Sequence, residues 1–217
     1  MLSAIFYVLR TGIPWRDLPE QFGPWSSVYS RFRRWCAVGL FAQMLELVAA
    51  RATGQLRHID CSHIKLHQYG ANPRGGHAAQ AIGRTKGGIN TKFAAIVEGG
   101  GRAVALSLAE GQRHDLYAVE PLLPYLRQRR AVADRGFDAD TFRARLCRQR
   151  TRVCIPAKRS RRWPVAFHRD YYQRRHKVES FFCRLKRYRR LRTRYDKLAI
   201  TFLAFVQLAA VVDWLIH

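Results

Sequence analysis

The chain has 217 residues, with 39 Lys and Arg against 15 Asp and Glu, so its net charge is +24 at neutral pH. An apolar content of 48% can fill a core, which excludes global disorder, and the length suits one domain with at most a small appendage. The charge predicts a polyanionic partner, most simply nucleic acid, with an anionic membrane surface as the weaker alternative. Five Cys in no paired motif favour a reducing cytoplasm over a secreted disulfide scaffold.

Residues 1–55 are predicted to be helical. The first helix ends at Gly12, and no capping residue precedes its start, so we expect natural sequence to be missing upstream. A second helix runs to about Val38, and Gly39 separates it from a third helix.

Residues 56–156 alternate between strand and helix patterns. Strands are predicted at 56–66, 91–98, 102–108, 131–133 and 153–155, and helices at 116–127 and 140–148. Gly99 to Gly101 separate the second and third strands and predict a hairpin. A hairpin followed by alternating helices and strands predicts an α/β fold with a mixed sheet flanked by helices.

Residues 157–217 are predicted to be helical after a basic loop. The final segment, 198–216, is apolar and long enough to span a bilayer. Because Thr201, Gln207 and Asp213 interrupt it, we expect a buried core helix and no membrane association.

Three acidic residues invite a functional explanation in so basic a chain. Asp60 lies within a strand, Asp134 ends a strand, and Glu179 lies on a helix predicted over 170–188. Carboxylates of this kind are the ligands that Mg²⁺ or Mn²⁺ prefers, and two such ions can clamp the oxygens of a phosphoryl transfer. The simpler interpretations are a solvent-facing Asp60, a turn-capping Asp134 and a helical ion pair of Glu179 with Arg175.

The helix of Glu179 carries further polar residues on the same face. Tyr172, Arg175 and Lys186 are spaced by −7, −4 and +7 from Glu179, so on one continuous helix the four fall within an arc of roughly 60°. Val178, Phe181, Phe182 and Leu185 form a neighbouring apolar stripe that can pack on a sheet.

The motif Tyr172-x2-Arg175-x3-Glu179-x6-Lys186 resembles the Y-R-E-K signature of bacterial insertion-sequence transposases of the DDE superfamily, in the branch called the insertion-sequence five family. ADRGFD at 133–138 resembles the block around that family's second Asp, and HIDCSHIK at 58–65 resembles the block around its first. The family more often has Ser or Thr directly after the first Asp, where this chain has Cys61.

The resemblance implies an RNase-H-like catalytic domain over 56–217, with five mixed strands in the order 3-2-1-4-5, preceded by a partial DNA-binding helical segment over 1–55. It implies that Asp60, Asp134 and Glu179 form the catalytic triad and hold two Mg²⁺ or Mn²⁺ ions. Family members usually carry further residues upstream, so the resemblance also implies a truncated or frame-split copy.

The implied activity is metal-dependent phosphodiester cleavage and strand transfer at the ends of an insertion sequence. The implied partners are double-stranded DNA, as element ends and as target, and a second copy of the chain on that DNA. No small-molecule substrate is expected, and the expected location is the bacterial cytoplasm, in association with the nucleoid. The expected DNA contacts are Tyr172, Arg175, Lys186, Arg184, Arg187, Arg189 and Arg190.

Two other interpretations remain open from the sequence. Truncation could leave a DNA-binding remnant without catalysis. A zinc site could use His58, Cys61, His63 and His67, whose residue types zinc accepts. Strand alternation places His58 on the opposite face from Cys61 and His63, so ordinary histidines are the simpler expectation. The Gly-rich loop over 69–88 lacks the spacing of a nucleotide-binding motif and is expected to contact DNA flexibly.

Overall fold

The computed structural model describes all residues from Met1 to His217. The N-terminal helices are α1 (Leu2–Thr11), α2 (Trp25–Ala37) and α3 (Leu40–Ala49). The middle of the chain forms β1 (Leu56–Leu66), α4 (Gly76–Ala79), β2 (Gly83–Thr85), β3 (Gly88–Glu98), β4 (Ala103–Glu110), α5 (Asp115–Val119), β5 (Arg130–Val132), α6 (Asp140–Arg148) and β6 (Arg152–Cys154). The last part forms α7 (Arg169–Gln173), α8 (His176–Leu185), α9 (Arg189–Arg192), β7 (Thr193–Arg194) and α10 (Ala199–Ile216).

The sheet confirms the predicted RNase-H-like arrangement. Its five main strands lie in the order β4-β3-β1-β5-β6, with β3 antiparallel to both β1 and β4, and with β5 and β6 parallel to β1. This is the predicted order 3-2-1-4-5. Two short strands that the sequence did not predict, β2 and β7, extend the sheet beside β3 and β1.

The hairpin between β3 and β4 forms where the glycines predict it. Gly101 has φ +91°, in the left-handed region that glycine adopts without a steric penalty. Both strands are almost fully buried, which explains why they read as nearly continuous apolar runs rather than as alternating ones.

The apolar C-terminal helix α10 is a core helix, as predicted. It is the one helix long and apolar enough to cross a membrane, and 61% of it is buried inside the protein. The indole Nε1 of Trp214 donates a hydrogen bond to the carbonyl of Ala103 on β4 at 2.6 Å, which fixes the helix against the sheet. Its hydrophobicity therefore serves packing within this chain.

The N-terminal helices share the core of the rest of the chain. Helix α1 ends at Gly12 with φ +73°, as the sequence predicts. Phe32 of α2 stacks on Phe205 of α10 with ring centroids 4.6 Å apart, and both belong to one apolar cluster of 49 buried residues. Residues 1–55 are thus helical but have no separate core.

Two predicted helices are wrong in detail. The helix expected over 116–127 is only the short α5 followed by a 3₁₀ helix over Glu120–Leu126, because the prolines in it, Pro121 and Pro124, cannot donate helical hydrogen bonds. The helix expected over 170–188 is divided into α7 and α8. The amides of Arg175, Lys177 and Val178 bond three residues back, so the chain tightens locally instead of continuing as an α-helix.

Candidate active site

Asp60 and Asp134 lie side by side on neighbouring strands. The parallel pairing of β1 with β5 sets His58 opposite Val132, and continuing that register by two residues brings Asp60 level with Asp134. Neighbouring strands are about 4.8 Å apart, so the two carboxylates emerge close together at the edge where β5 ends.

Asp60 is held by hydrogen bonds on both carboxylate oxygens. The amide of Cys61 donates to Oδ1 at 2.8 Å, and Nη1 of Arg175 donates to Oδ2 at 2.9 Å. Burial raises the pKa of Asp60, these two contacts lower it, and the nearby Asp134 raises it again; the net result is a raised pKa. A cation beside this carboxylate would stabilise its ionised form.

Asp134 forms a turn with the glycine that follows it closely. The amide of Gly136 donates to Oδ1 of Asp134 at 2.8 Å, as in a capping Asp. A Cβ atom on Gly136 would lie only 2.9 Å from that oxygen. Glycine at position 136 thus lets the backbone approach the Asp134 carboxylate closely. Oδ2 of Asp134 is left for another partner.

Helix α8 brings Glu179 over the same face of the sheet. Its apolar stripe is buried as predicted, and Phe182 packs edge-to-face on Phe93 of β3 with centroids 4.9 Å apart. Glu179 lies at the border of this contact, with 52% of its side chain exposed, and accepts a hydrogen bond from Nη2 of Arg175.

Arg175 therefore bridges two of the predicted triad members. Its guanidinium bonds Asp60 through one nitrogen and Glu179 through the other. Burial lowers the pKa of Arg175, but Asp60 and Glu179, with a further contribution from Asp134, raise it overall. All three carboxylates act on this one positive charge.

No three His, Cys, Asp or Glu side chains lie within reach of one metal ion in this arrangement. The chemistry of these side chains nevertheless fits a hard divalent cation, because all three are carboxylates. Asp60 and Glu179 bind one guanidinium, and Asp134 lies near enough to contribute to its raised pKa. The guanidinium of Arg175 lies between Asp60 and Glu179.

The two remaining residues of the motif lie close to this centre. Nζ of Lys186 donates a hydrogen bond to Oγ of Ser62 at 2.6 Å, and Ser62 follows Asp60 by two residues on the same face of β1. Tyr172 packs edge-to-face on Phe167 with centroids 5.4 Å apart and forms no hydrogen bond with a triad carboxylate.

Two arginines expected to contact DNA are paired with acids of the same chain. Arg190 is 5% exposed and donates two hydrogen bonds of 3.1 Å to Asp196. Arg184 donates to both oxygens of Asp213 at 2.6 and 2.8 Å. Buried acids engage their guanidinium groups, so the exposed Arg187 and Arg189 are better placed to contact DNA. The acid within the apolar segment 198–216 was the signal that could have identified the partner of Arg184.

Sequence analysis gives no separate role to Asp138, the last residue of the block ADRGFD. Its side chain is fully buried and binds Arg143 at 2.7 Å, Arg161 at 2.8 Å and the amide of Lys158 at 2.7 Å. Burial favours the neutral acid, but the bonds from Arg161, Lys158 and Arg143 outweigh it and hold the pKa of Asp138 well below its usual range. This cluster fixes the loop after β6 to the loop after β5.

The four residues of the possible zinc site do not form one. His58 is fully buried on the face of β1 that packs on α8, with no hydrogen-bond partner for either ring nitrogen, and burial lowers its pKa to about 4. Cys61 faces the opposite side, where its sulfur lies 3.9 Å from the carbonyl of Asp115. No metal-binding group of His and Cys is present.

Two family models match the chain. One, described as a putative transposase of the IS4/5 family, matches residues 1–45, and the other, described as a transposase DDE domain, matches residues 131–216. The second match includes Asp134 and Glu179. No solved structure matches the chain.

Three curated relatives are similar to parts of the chain. The uncharacterized protein y4sN of Sinorhizobium fredii is 36% identical over 73 residues, which are 34% of this chain and 58% of that protein. An uncharacterized 16.2 kDa protein of insertion element IS402 from Burkholderia cepacia is 38% identical over 88 residues, 39% of this chain and 56% of that protein. The chain thus spans little more than half the length of these two relatives.

The third relative is a putative transposase for insertion sequence element IS6501 from Brucella ovis. It is 31% identical over 129 residues, which are 58% of this chain and 99% of that protein. With nearly the whole of this relative aligned, and with the DDE-domain match over the second half, the chain belongs to the DDE transposases of insertion sequences.

Proposed function

We propose that this protein cleaves and joins DNA at the ends of an insertion sequence in a reaction that depends on divalent metal ions. The observation that carries the proposal is that Arg175 binds both Asp60 on β1 and Glu179 on α8, with Asp134 at the end of β5 nearby, in a chain of net charge +24. Family membership supports the same reaction class.

Asp60, Asp134 and Glu179 are the residues that would hold the ions. Two Mg²⁺ or Mn²⁺ ions bound there would activate the attacking oxygen and stabilise the leaving oxygen of a phosphodiester. In the proposed reaction, water first breaks a phosphodiester bond at an element end and releases a 3′-hydroxyl. That hydroxyl then attacks a phosphodiester of the target DNA, forming one bond as the other breaks.

Arg175 would have two roles in this proposal, one without metal and one with it. Without metal it neutralises Asp60 and Glu179, which would otherwise repel each other across a partly buried site. If Asp60 and Glu179 held a metal ion instead, the guanidinium of Arg175 would be free to bind a phosphate in bidentate fashion beside them. Arg175 thus keeps the ligands assembled before DNA arrives.

Lys186 and Tyr172 would flank the DNA next to the carboxylates. The ammonium group of Lys186 lies beside Ser62, where it can move to a phosphate oxygen at the cost of one hydrogen bond. The exposed Arg187 and Arg189 would extend these contacts along the backbone without sequence preference. Pairing of two element ends would require two copies of the chain on the DNA.

A cleavage assay tests the proposal with near-isosteric variants. Purified protein is mixed with Mg²⁺ and a duplex carrying the terminal inverted repeats of its element. We expect the wild type to cut at the element end and Asp60→Asn and Glu179→Gln to cut no faster than background, since each variant loses one anionic ligand. Glu20→Gln removes an equal charge from an exposed acid outside the site and should cut like the wild type.

Two other outcomes would contradict the proposal. Cleavage by both variants at the wild-type rate would contradict the triad. Salt-dependent binding by the wild type with no cleavage in Mg²⁺ or Mn²⁺ would identify a DNA-binding remnant and overturn the catalytic proposal.

A further inference from the structure

A basic cavity lies at the sheet edge opposite the carboxylates, where β1, β5 and β6 begin. Its volume is about 440 Å³. Four arginines line it, namely Arg129, Arg130, Arg150 and Arg152. Its other lining residues are uncharged and include Gln55, Gln128 and Tyr171. No acidic residue lines it.

The four arginines have no counter-charge within the protein. None of them takes part in an ion pair, whereas arginines of similar sequence context, such as Arg143, Arg161 and Arg184, each bind a carboxylate. Guanidinium groups held together without an anion repel one another. Such a cluster is therefore set up for an anion from outside the chain.

Backbone hydrogen bonds hold the three strand starts together. The amide of Arg130 donates to the carbonyl of Gln55 at 2.9 Å, and the amide of Arg152 donates to the carbonyl of Arg129 at 2.8 Å. The amide of Gln128 donates to the carbonyl of Gln149 at 3.2 Å. The cavity is thus built from three connected segments, which fixes the spacing of the arginine backbones before any ligand binds.

Two residues of the cavity have an unusual backbone conformation. Gln128 has φ +58° and Arg150 has φ +57°, a left-handed conformation that residues other than glycine seldom adopt. The chain contains one further non-glycine residue of this kind, Ala81. At Arg150 this conformation ends helix α6, because the amides of Arg150 and Thr151 donate to the carbonyls of Cys147 and Leu146.

Tyr171 connects the cavity with the candidate active site. The guanidinium carbon of Arg130 lies 4.1 Å from the centre of the Tyr171 ring, which orients the arginine by a cation–π contact. Tyr171 belongs to α7, the helix that precedes Arg175. Along β1, Leu56 in the cavity wall and Asp60 are four residues apart, or about 13 Å.

We propose that this cavity binds backbone phosphates of DNA at a distance from the cleaved bond. Arginine presents a planar fork of donors that matches phosphate oxygens, and a cluster of unpaired arginines can take a phosphodiester without sequence preference. The assignment rests on the proposed function for its DNA substrate. It adds a second contact region at the starting ends of β1, β5 and β6, away from the end of β5 where the carboxylates lie.

Metal-free DNA binding tests the assignment independently of cleavage. Fluorescence anisotropy in EDTA gives the affinity for a labelled duplex at a series of salt concentrations. We expect Arg150→Gln/Arg152→Gln to flatten the plot of log affinity against log salt by about one to two units, because one or two phosphate contacts are lost. The matched control Arg127→Gln/Arg148→Gln removes the same charge from exposed positions outside the cavity and should keep the wild-type slope.

Thermal unfolding of each variant checks that the fold is retained. The cavity variant should unfold at the wild-type temperature or slightly above it in low salt, since it relieves repulsion. Inorganic pyrophosphate should raise the unfolding temperature of the wild type more than that of the cavity variant.

An unchanged salt slope in the cavity variant would overturn the assignment. If pyrophosphate then still protects the wild type selectively, the cavity is a site for small anions and not for DNA. Failure of the triad is seen separately, because the binding measurement in EDTA involves no cleavage and leaves the three carboxylates unchanged.

Discussion

The arginines of this protein form two groups with opposite environments. Arg190 and Arg194 lie in the interior, where Arg190 binds the carboxylate of Asp196 and Arg194 donates to the backbone carbonyl of the same residue. Arg150 and Arg152 are exposed beside a cavity and have no acidic partner. A basic stretch in the sequence does not distinguish these cases, since both groups lie in the most basic part of the chain.

The difference lies in the cost of removing a charge from water. A guanidinium can be buried only if carboxylate or carbonyl oxygens replace its hydration, and the interior arginines have such partners. The exposed arginines keep their hydration and can exchange it for a phosphate. Burial and pairing, rather than local charge density, therefore separate arginines that stabilise the fold from those available to DNA.

The largest expected effect comes from breaking an interior pair. Arg190→Ala leaves Asp196 buried without its partner, and we expect a loss of about 3 to 5 kcal/mol in the free energy of unfolding. Chemical denaturation followed by circular dichroism measures this loss.

The neighbouring Arg189→Ala provides the matched control, because Arg189 is exposed and has no acidic partner. It should change stability by no more than about 0.5 kcal/mol. Equal losses in the two variants would remove the distinction between interior and surface arginines.

The Asp138 cluster gives a smaller effect with a defined pH dependence. Asp138→Asn weakens the bonds from Arg143 and Arg161, and we expect a loss of about 2 to 3 kcal/mol at pH 7. The pKa of Asp138 in the folded protein lies below that of the unfolded chain, which is about 3.9. Its contribution is therefore fully present well above pH 4 and is lost as the pH falls below 4 towards the folded pKa.

Stability measured between pH 7 and pH 2.5 checks this sign. The wild type should lose more stability than Asp138→Asn over the acidic part of that range, so the two curves converge on acidification. Parallel curves would show that the ionised form of Asp138 is not the one stabilised in the fold.

The smallest effect is expected at Lys186. Lys186→Ala should flatten the salt dependence of DNA binding by about one unit if its ammonium group meets one phosphate. Ser62→Ala removes the same internal hydrogen bond but keeps the charge, so it should preserve the slope. An unchanged slope in Lys186→Ala would assign the residue to the structure alone.

Much of the fold is visible in the sequence because its determinants are local. Gly12 ends a helix, Gly101 turns a hairpin, and the apolar runs of β3 and β4 record burial on both faces. The position of Asp60 within a strand and of Asp134 after one follows from the same local patterns. Their proximity then follows from the parallel pairing of β1 with β5.

The missed features depend on contacts between distant segments. Arg184 meets Asp213 across 29 positions of the chain, and Asp138 meets Arg161 across 23. No Pro or Gly in the sequence marks the division between α7 and α8. It occurs next to Arg175, whose bond to Asp60 spans 115 positions, so a tertiary contact accompanies the local change.

Binding of Mn²⁺ to the DNA-free protein tests the central claim most directly. Electron paramagnetic resonance of free Mn²⁺ gives the number of bound ions and their affinity. The account predicts that the wild type and Glu20→Gln bind alike and that Asp60→Asn and Glu179→Gln bind at least about tenfold more weakly. Equal Mn²⁺ binding by all four proteins would contradict a metal centre built from these carboxylates.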